Sequence, residues 1–478
     1  MEKFKTKLQY IKSLKNGRIF NSNLSKSIFL GIALTVLSHN EAKAQLVATG
    51  QIRERTEAKE GQGTLITNGA KGALFTSQRT RLNVGFTGYR FKVYASLQDV
   101  RVWGEDASTI NRTTTEANNG LMFHEAWGEI ILNDTISKIQ NLSIKAGRQE
   151  ISYDDQKVLG SLDWLQQGRN HDAIILKFAN KGWIADIGAA FNQNYTAGKE
   201  PSSGTIYNGL PATTTYTAGT NGIQHEYKSF QYLYLGRKFF FGDLSFLFFK
   251  DDFSKFTGTA TAPTFTQGVN SRTTTGFYYN VMPTRKLNLN GSVYYQGGHD
   301  KLGKEISAKL ASITATYQVN RKLFIGPGVD FLSGNDGTVT ASQNNRFDPL
   351  YGTPHKFWGS MDYFYAASPF GSQGLLDYYF KTKYNASDKL ALLIDIHGFE
   401  SANKLPANIT KYLGTEFDFT AKYNFTKLIN IEAGYSLMNA TKTMASAAVK
   451  NVANPKLTAQ WAYLALKISP NFLATKKM

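Results

Sequence analysis

The residues with the most chemistry in this chain are arginines set two apart. Arg53 and Arg55 alternate with Gln51 and Glu57, and Arg79 and Arg81 alternate with Asn83 opposite Leu82, Val84 and Phe86. Spacing of two is the period of an extended strand, so each pair projects from one face of its strand. Lys145 and Lys177 fall on polar faces in the same way. If the opposite face meets lipid, these charges must point inward, because a lysine or arginine at the lipid midplane costs about 2–4 kcal/mol. Inward guanidinium groups attract anions and grip carboxylates through two parallel hydrogen bonds. Glu57, Glu125, Glu129 and Asp172 interleave with them. Two readings follow: an anion-selective lumen, or an Arg–Glu ladder that braces a wide barrel. Asp99 and Arg101 interrupt the lipid-face pattern of Phe91, Val93, Ala95 and Leu97, and Arg148 falls out of phase with Lys145. A bulge or the start of a loop accounts for both.

Other chemistry is sparse. With 0 Cys there is no thiol nucleophile or thiolate metal site. The chain carries no G-x-S-x-G, H-E-x-x-H or glycine-rich phosphate loop, so the reading is not an enzyme, with no cofactor and no metal. Asp154-Asp155 reads as a solvated acidic pair rather than a cation site. His124, beside Glu125, reads as a strand-end side chain rather than a base, and His355 in the longest loop is read with the same reserve.

What positions the arginines is a chain of strands. Of 478 residues, 25 are Tyr and 32 Phe, yet no apolar run is long enough for a membrane-spanning helix. Period-two segments recur instead. In 413–423, Leu413, Thr415, Phe417, Phe419, Ala421 and Tyr423 oppose Gly414, Glu416, Asp418, Thr420 and Lys422; residues 429–437 and 287–296 repeat the pattern. Such strands are apolar outside and polar inside. Short turns fall near 88, 133–140, 180–182, 242, 283–286, 320–322, 386–389 and 426–427. Long connections fall near 59–73, 104–119, 150–168, 195–229, 251–271, 298–303, 334–374, 400–412 and 439–455. Alternation of eight short and nine long connections predicts an all-β transmembrane antiparallel β-barrel of about 18 strands, with short periplasmic turns and long extracellular loops. Tyr232, Tyr234, Tyr278, Tyr279, Tyr378 and Tyr379 suit interfacial girdles. The last strand is expected at 461–468, with Leu464, Leu466 and Ile468 toward lipid and 469–478 as a tail. Strand signals begin so early that no folded N-terminal plug fits before them.

Residues 1–44 read as a signal peptide and 45–478 as the barrel. Lys3, Lys5, Lys7, Lys12, Lys15, Arg18 and Lys26 precede a short apolar stretch at 28–37, and Ala42-Lys43-Ala44 is an A-x-A cleavage site. The formal charge is +18; residues 1–44 hold eight basic and two acidic side chains, which leaves +12 on the remainder. A basic exported protein fits anionic polysaccharide or lipopolysaccharide phosphate better than nucleic acid.

Several segments resemble the alginate-export family of outer-membrane porins. They are Arg53-Glu54-Arg55, Gln78-Arg79-Thr80-Arg81-Leu82, Gln98-Asp99-Val100-Arg101-Val102-Trp103-Gly104, His124-Glu125-Ala126-Trp127, Gly147-Arg148-Gln149-Glu150, Gly160-Ser161-Leu162-Asp163-Trp164 and Gly168-Arg169, with 413–418 and 432–436 near the end. The resemblance implies a monomeric barrel of 18 strands whose electropositive lumen passes acidic polysaccharide, with Arg53, Arg55, Arg79, Arg81, Arg101, Arg148 and Arg169 as conduit residues. Its expected neighbours are outer-membrane lipid, lipopolysaccharide and periplasmic export machinery. The segment 334–374, with His355-Lys356-Phe357-Trp358-Gly359, does not match. Passive diffusion of an anionic, alginate-like polysaccharide or acidic oligosaccharide through the outer membrane is the leading expectation. A general or nutrient-uptake porin is the alternative, ahead of a barrel enzyme such as a phospholipase and of a structural or adhesive barrel.

Overall fold

The computed structural model describes residues 45–104, 121–134, 138–192, 227–259, 262–336, 340, 342–365, 371–405 and 409–475. The expected signal peptide, 1–44, and most of the 104–119 and 195–229 connections lie outside the described residues.

The strands are β1 (Gln45–Glu60), β2 (Ala73–Gly88), β3 (Phe91–Val102), β4 (Met122–Ile131), β5 (Asn141–Gln149), β6 (His171–Asn180), β7 (Trp183–Phe191), β8 (Ser229–Phe239), β9 (Gly242–Thr259), β10 (Ala262–Thr284), β11 (Leu287–His299), β12 (Glu305–Gln318), β13 (Leu323–Leu332), β14 (Gln343–Asn344), β15 (Leu375–Asn385), β16 (Leu390–Glu400), β17 (Tyr412–Asn424), β18 (Ile429–Ala440), β19 (Thr458–Ile468) and β20 (Asn471–Ala474). Each long strand pairs antiparallel with the next, β13 pairs directly with β15, and β1 closes the sheet onto β19 from Ile52↔Ile468 to Glu60↔Gln460. Setting aside the two short strands β14 and β20 leaves 18 staves, the number that the alternating connections predict. Helix among the described residues is confined to α1 (Lys442–Ala445) and a 3-10 turn at Pro354–Lys356.

Alternation decides the faces. On β17, Phe417 and Phe419 are exposed on the outer wall while Glu416 and Asp418 are buried inside. Val293 and Tyr295 lie outside β11, and Ser292 and Gln296 inside. A closed sheet leaves every backbone group paired, which lets such strands sit in hydrocarbon.

Three expectations change, and one feature is added. Residues 251–271 form no loop: β9 and β10 run through them as a hairpin with one register shift, between Phe265 and Val269. The Thr- and Phe-rich sequence there favours strand. The 18 residues of β9, at about 3.3 Å each, outrun an apolar band roughly 25 Å tall. The tail after Ile468 forms β20, which pairs with Val47–Thr49 of β1. Because β19 stops opposite Ile52, the start of β1 would otherwise present an unpaired edge. The tyrosines split: Tyr279 and Tyr378 face outward, but Tyr232, Tyr234, Tyr278 and Tyr379 face the lumen. Tyr232 and Tyr379 lie over Gly188 and Gly328 of the neighbouring strands, covering backbone that lacks a side chain. Finally, the lumen is filled from the loops. Residues 150–170 and 345–365 fold inward and pack together, with Leu159 bridging to Tyr351. Leu159, Phe347, Leu350, Trp358, Met361 and Tyr363 are fully buried in this shared core. At about 1.5–3 kcal/mol for each large apolar side chain removed from water, that core holds both loops in place.

Candidate functional site: a basic wall facing an inward loop

Register brings the arginines together. Arg53 lies directly across from Arg79, and Gln51 across from Arg81. Both sit on inward positions of β1 and β2, next to Gln98 of β3. Four neighbouring cations repel unless each finds acceptors, and the loop 150–170 supplies these together with Gln51, Glu57 and Gln98 of the strands. Arg53 donates to the carbonyls of Asp163 at 2.7 Å and Leu165 at 3.0 Å, and to Gln166 Oε1 at 2.9 Å. Arg55 donates to the Trp164 carbonyl at 2.8 Å, pairs with Glu57 at 3.0 Å and lies 4.0 Å from the centre of the Trp164 ring. Arg79, fully buried, bonds Gln51 and reaches the Gln166 carbonyl at 3.3 Å. Arg81 bonds Gln98 Oε1 at 2.6 Å, and Gln98 donates to the Gln167 carbonyl at 3.0 Å.

One carboxylate stands among the guanidiniums of Arg53, Arg79 and Arg81. Asp163 lies 2.8 Å from Arg79, 3.2 Å from Arg53 and 3.9 Å from Arg81. Half of its side chain is open to solvent (50%), whereas that of Arg79 is closed off (1%). Burial alone would raise the Asp163 pKa, but Arg79 and Arg53 outweigh it and hold the carboxyl below its ordinary value. Arg81 Nη2 is buried and has no hydrogen-bond partner. Gly168, at a φ of +64°, turns the chain beside it; a Cβ there would come within 3.0 Å of that nitrogen and 2.9 Å of His124.

Toward the short turns the basic wall continues around a cavity of about 340 Å³, lined among others by Lys92, Lys145, Lys177, Trp127 and Tyr153. Lys92 pairs with Glu129 at 2.9 Å, and Lys177 with Asp186 at 2.8 Å. Lys145 sits 3.9 Å from the centre of the Trp127 ring. Glu125 accepts from the Trp127 indole at 3.2 Å, and Glu57 from the Trp461 indole at 3.2 Å. The far wall is acidic, with Asp330, Asp377, Glu416 and Asp418 all buried.

Three expected lumen residues lie elsewhere. β2 and β3 pair without interruption to Ser77↔Val102, so Asp99 and Arg101 stay on the outer face, bonded to each other at 2.7 and 2.8 Å. Arg148 and Asp172 pair at 2.8 Å on the outer face that also carries Ile144 and Ile174, with side chains 42% and 53% exposed. Asp99 and Arg101, two apart on β3, and Arg148 and Asp172, across β5 and β6, each neutralise each other near the strand ends; the one register shift here lies in the β3–β4 pairing, between Ser96 and Leu97, and leaves β2–β3 unbroken. Arg169 is inside but does not line open space: it is buried and donates to the Gly352 carbonyl, tying one inward loop to the other. Burial brings its pKa down to about 9, so it stays charged at neutral pH.

Asp154-Asp155 is not a solvated pair. Asp154 accepts from Tyr234 and Ser245, each at 2.8 Å, and Asp155 from the Lys157 amide at 3.0 Å. His124 bonds Glu150 at 2.8 Å; His355 bonds Asp362 at 2.7 Å and stacks on Trp164 at 4.2 Å. Sequence reasoning missed Asp163, whose role depends on where its loop goes, and Lys157, which pairs with Asp330 at 2.6 Å across 173 positions of sequence.

Solved barrels of Pseudomonas aeruginosa share this architecture. OpdL aligns with a TM-score of 0.59 at 10% identity, over 90% of this chain and 99% of that one. OccK5 (OpdH) aligns with a TM-score of 0.56 at 10% identity, over 90% and 98%. OccK2 (OpdF), solved in complex with glucuronate, aligns with a TM-score of 0.53 at 11% identity, over 90% and 98%. At these identities the likeness is one of fold. No curated protein matches the chain. The motifs at 413–418 and 432–436 fall outside the stretch that matches a family. Residues 45–211, which carry the whole basic wall, match the alginate-export family, the family that the arginine motifs resemble.

Proposed function

We propose that this protein is an outer-membrane diffusion channel that passes acidic saccharides, from single uronates to an alginate-like chain. The observation that carries this reading is the one-sided lumen. Arg53, Arg79, Arg81, Lys92, Lys145 and Lys177 all face inward from β1–β6. A wall with an excess of positive charge beside confined space draws in anions and ranks them. The family match over 45–211 supports the substrate class, and so does the glucuronate bound in OccK2, a protein of the same fold. In this reading the short turns face the periplasm, the long loops face outward, and the leader 1–44 directs export. A nutrient-uptake channel for small acidic solutes is the second reading. The packing of loops 150–170 and 345–365 inside the lumen favours it over passage of a bulky polymer. The test is planar-bilayer recording with a salt gradient, paired with liposome swelling in glucuronate, an oligouronate and glucose. The expected result is a reversal potential of anion preference and faster swelling in the acidic sugars. Cation preference with equal swelling in all three would reject the proposal.

A further inference from the structure

Asp163 is placed where a ligand would be. Its carboxylate faces three guanidiniums at 2.8, 3.2 and 3.9 Å, and its other side opens to the lumen. The guanidiniums are fixed before any ligand arrives, by Gln51, Gln98, Gln166 and the carbonyls of Asp163, Leu165 and Gln166. Their side chains are almost closed to solvent, at 1–11% exposed. With so little of each guanidinium exposed, an arriving anion competes with Asp163 for their nitrogens. Within 4 Å three cations share one carboxylate, Glu125 and Glu150 acting on Arg81 only from farther off, and Arg81 Nη2 has no acceptor.

We infer that Arg53, Arg79 and Arg81 form a carboxylate-binding subsite whose resident occupant is Asp163, and that a uronate carboxylate exchanges with it during transit. The inference rests on the anionic-sugar reading above. The exchange needs only rotation of one short side chain, because Trp164 remains clamped between Arg55 and His355. Incoming and resident groups are both carboxylates, so the swap is close to neutral in energy. That suits a channel, which must bind its solute well enough to admit it and weakly enough to release it. Asp163 supplies the release: whenever the solute shifts, the tethered carboxylate competes for the same nitrogens at high effective concentration. Removing the competitor should therefore slow departure more than it changes arrival.

The experiment is single-channel block by glucuronate, with glucose as the neutral control, on wild type, Asp163→Asn and Asp163→Ala. Asn keeps the size and an acceptor oxygen, and Ala removes both; heat-modifiable gel migration reports folding of each. The expected result is a glucuronate dwell time roughly tenfold longer in both variants, which corresponds to about 1.4 kcal/mol, with arrival rate and glucose behaviour little changed. Adding Arg79→Gln to Asp163→Asn should return the dwell to wild type or below. Wild-type block with a dwell that is unchanged or shortened in both variants overturns the inference and makes Asp163 a brace. Absence of glucuronate block and uptake in wild type and variants alike overturns the substrate reading, and the inference falls with it.

Discussion

At the scale of single residues, one loop carries two aspartates with opposite preferences. Arg79 and Arg53 hold Asp163 in its charged form. Asp154 is driven the other way: burial raises its pKa to about 6, with Asp155 and Asp243 adding to the rise and the Ser245 and Tyr234 hydroxyls opposing it. A carboxyl whose pKa is higher folded than unfolded stabilises docking fully below the unfolded value, and that contribution is lost as pH rises through the folded value. Docking near Asp154 should thus weaken between about pH 4 and pH 6, by on the order of 1 kcal/mol once solvent screening is allowed for. The chain has 0 Cys, so a fluorophore placed at Ser152→Cys reports this segment alone. Its anisotropy should fall as pH rises through that window, and Asp154→Asn should flatten the response. An equal fall in the variant would show that Asp154 is not the titrating group.

At the scale of elements, strand parity was legible and strand length was not. The alternation at 413–423 and 287–296 places Phe417, Val293, Glu416 and Gln296 on the faces they occupy, because a period of two survives any context. Strand ends depend on what happens beyond the membrane. Composition leans 251–271 toward strand, but nothing local sets where β9 and β10 end, or separates β20 from a tail, until the neighbouring edge is known. The outward ion pairs Asp99–Arg101 and Arg148–Asp172 mark the same limit, since a charge is tolerated on the outer face only where a partner and the strand end coincide. Sidedness is testable at this scale. Single cysteines at 321, 387 or 426, in short turns, should resist a membrane-impermeant maleimide in intact cells, while cysteines at 302 or 404, in long connections, should label. The reverse pattern would invert the barrel.

At the scale of the whole molecule, the inward loops fill space that the staves enclose. A barrel of 18 strands has room for a wide aqueous channel, yet Phe347, Trp358, Met361 and Tyr363 are buried within this one. Replacing residues 346–364 with a Gly-Ser linker of equal length should raise open-channel conductance several-fold and weaken discrimination between glucuronate and glucose. Bilayer recording checks both, and an unchanged conductance would mean that ions already pass beside the loop core.

The amino-acid sequence determined by itself the all-β class, the 18 staves, the inward direction of Arg53, Arg55, Arg79, Arg81, Lys145 and Lys177, and a family resemblance, which the match over 45–211 bears out for that stretch. These rest on local period and on motifs, which need no knowledge of distant residues. The tertiary structure alone decided what those cations touch. Asp163 is more than 80 positions from Arg79 and more than 100 from Arg53, and Lys157 meets Asp330 across 173. Such contacts come from a loop that turns into the lumen instead of out to solvent. It turns inward because it shares a buried apolar core with 345–365 and because Arg53 takes its hydrogen-bond acceptors from this loop. Neither cause is visible in any stretch of chain read alone.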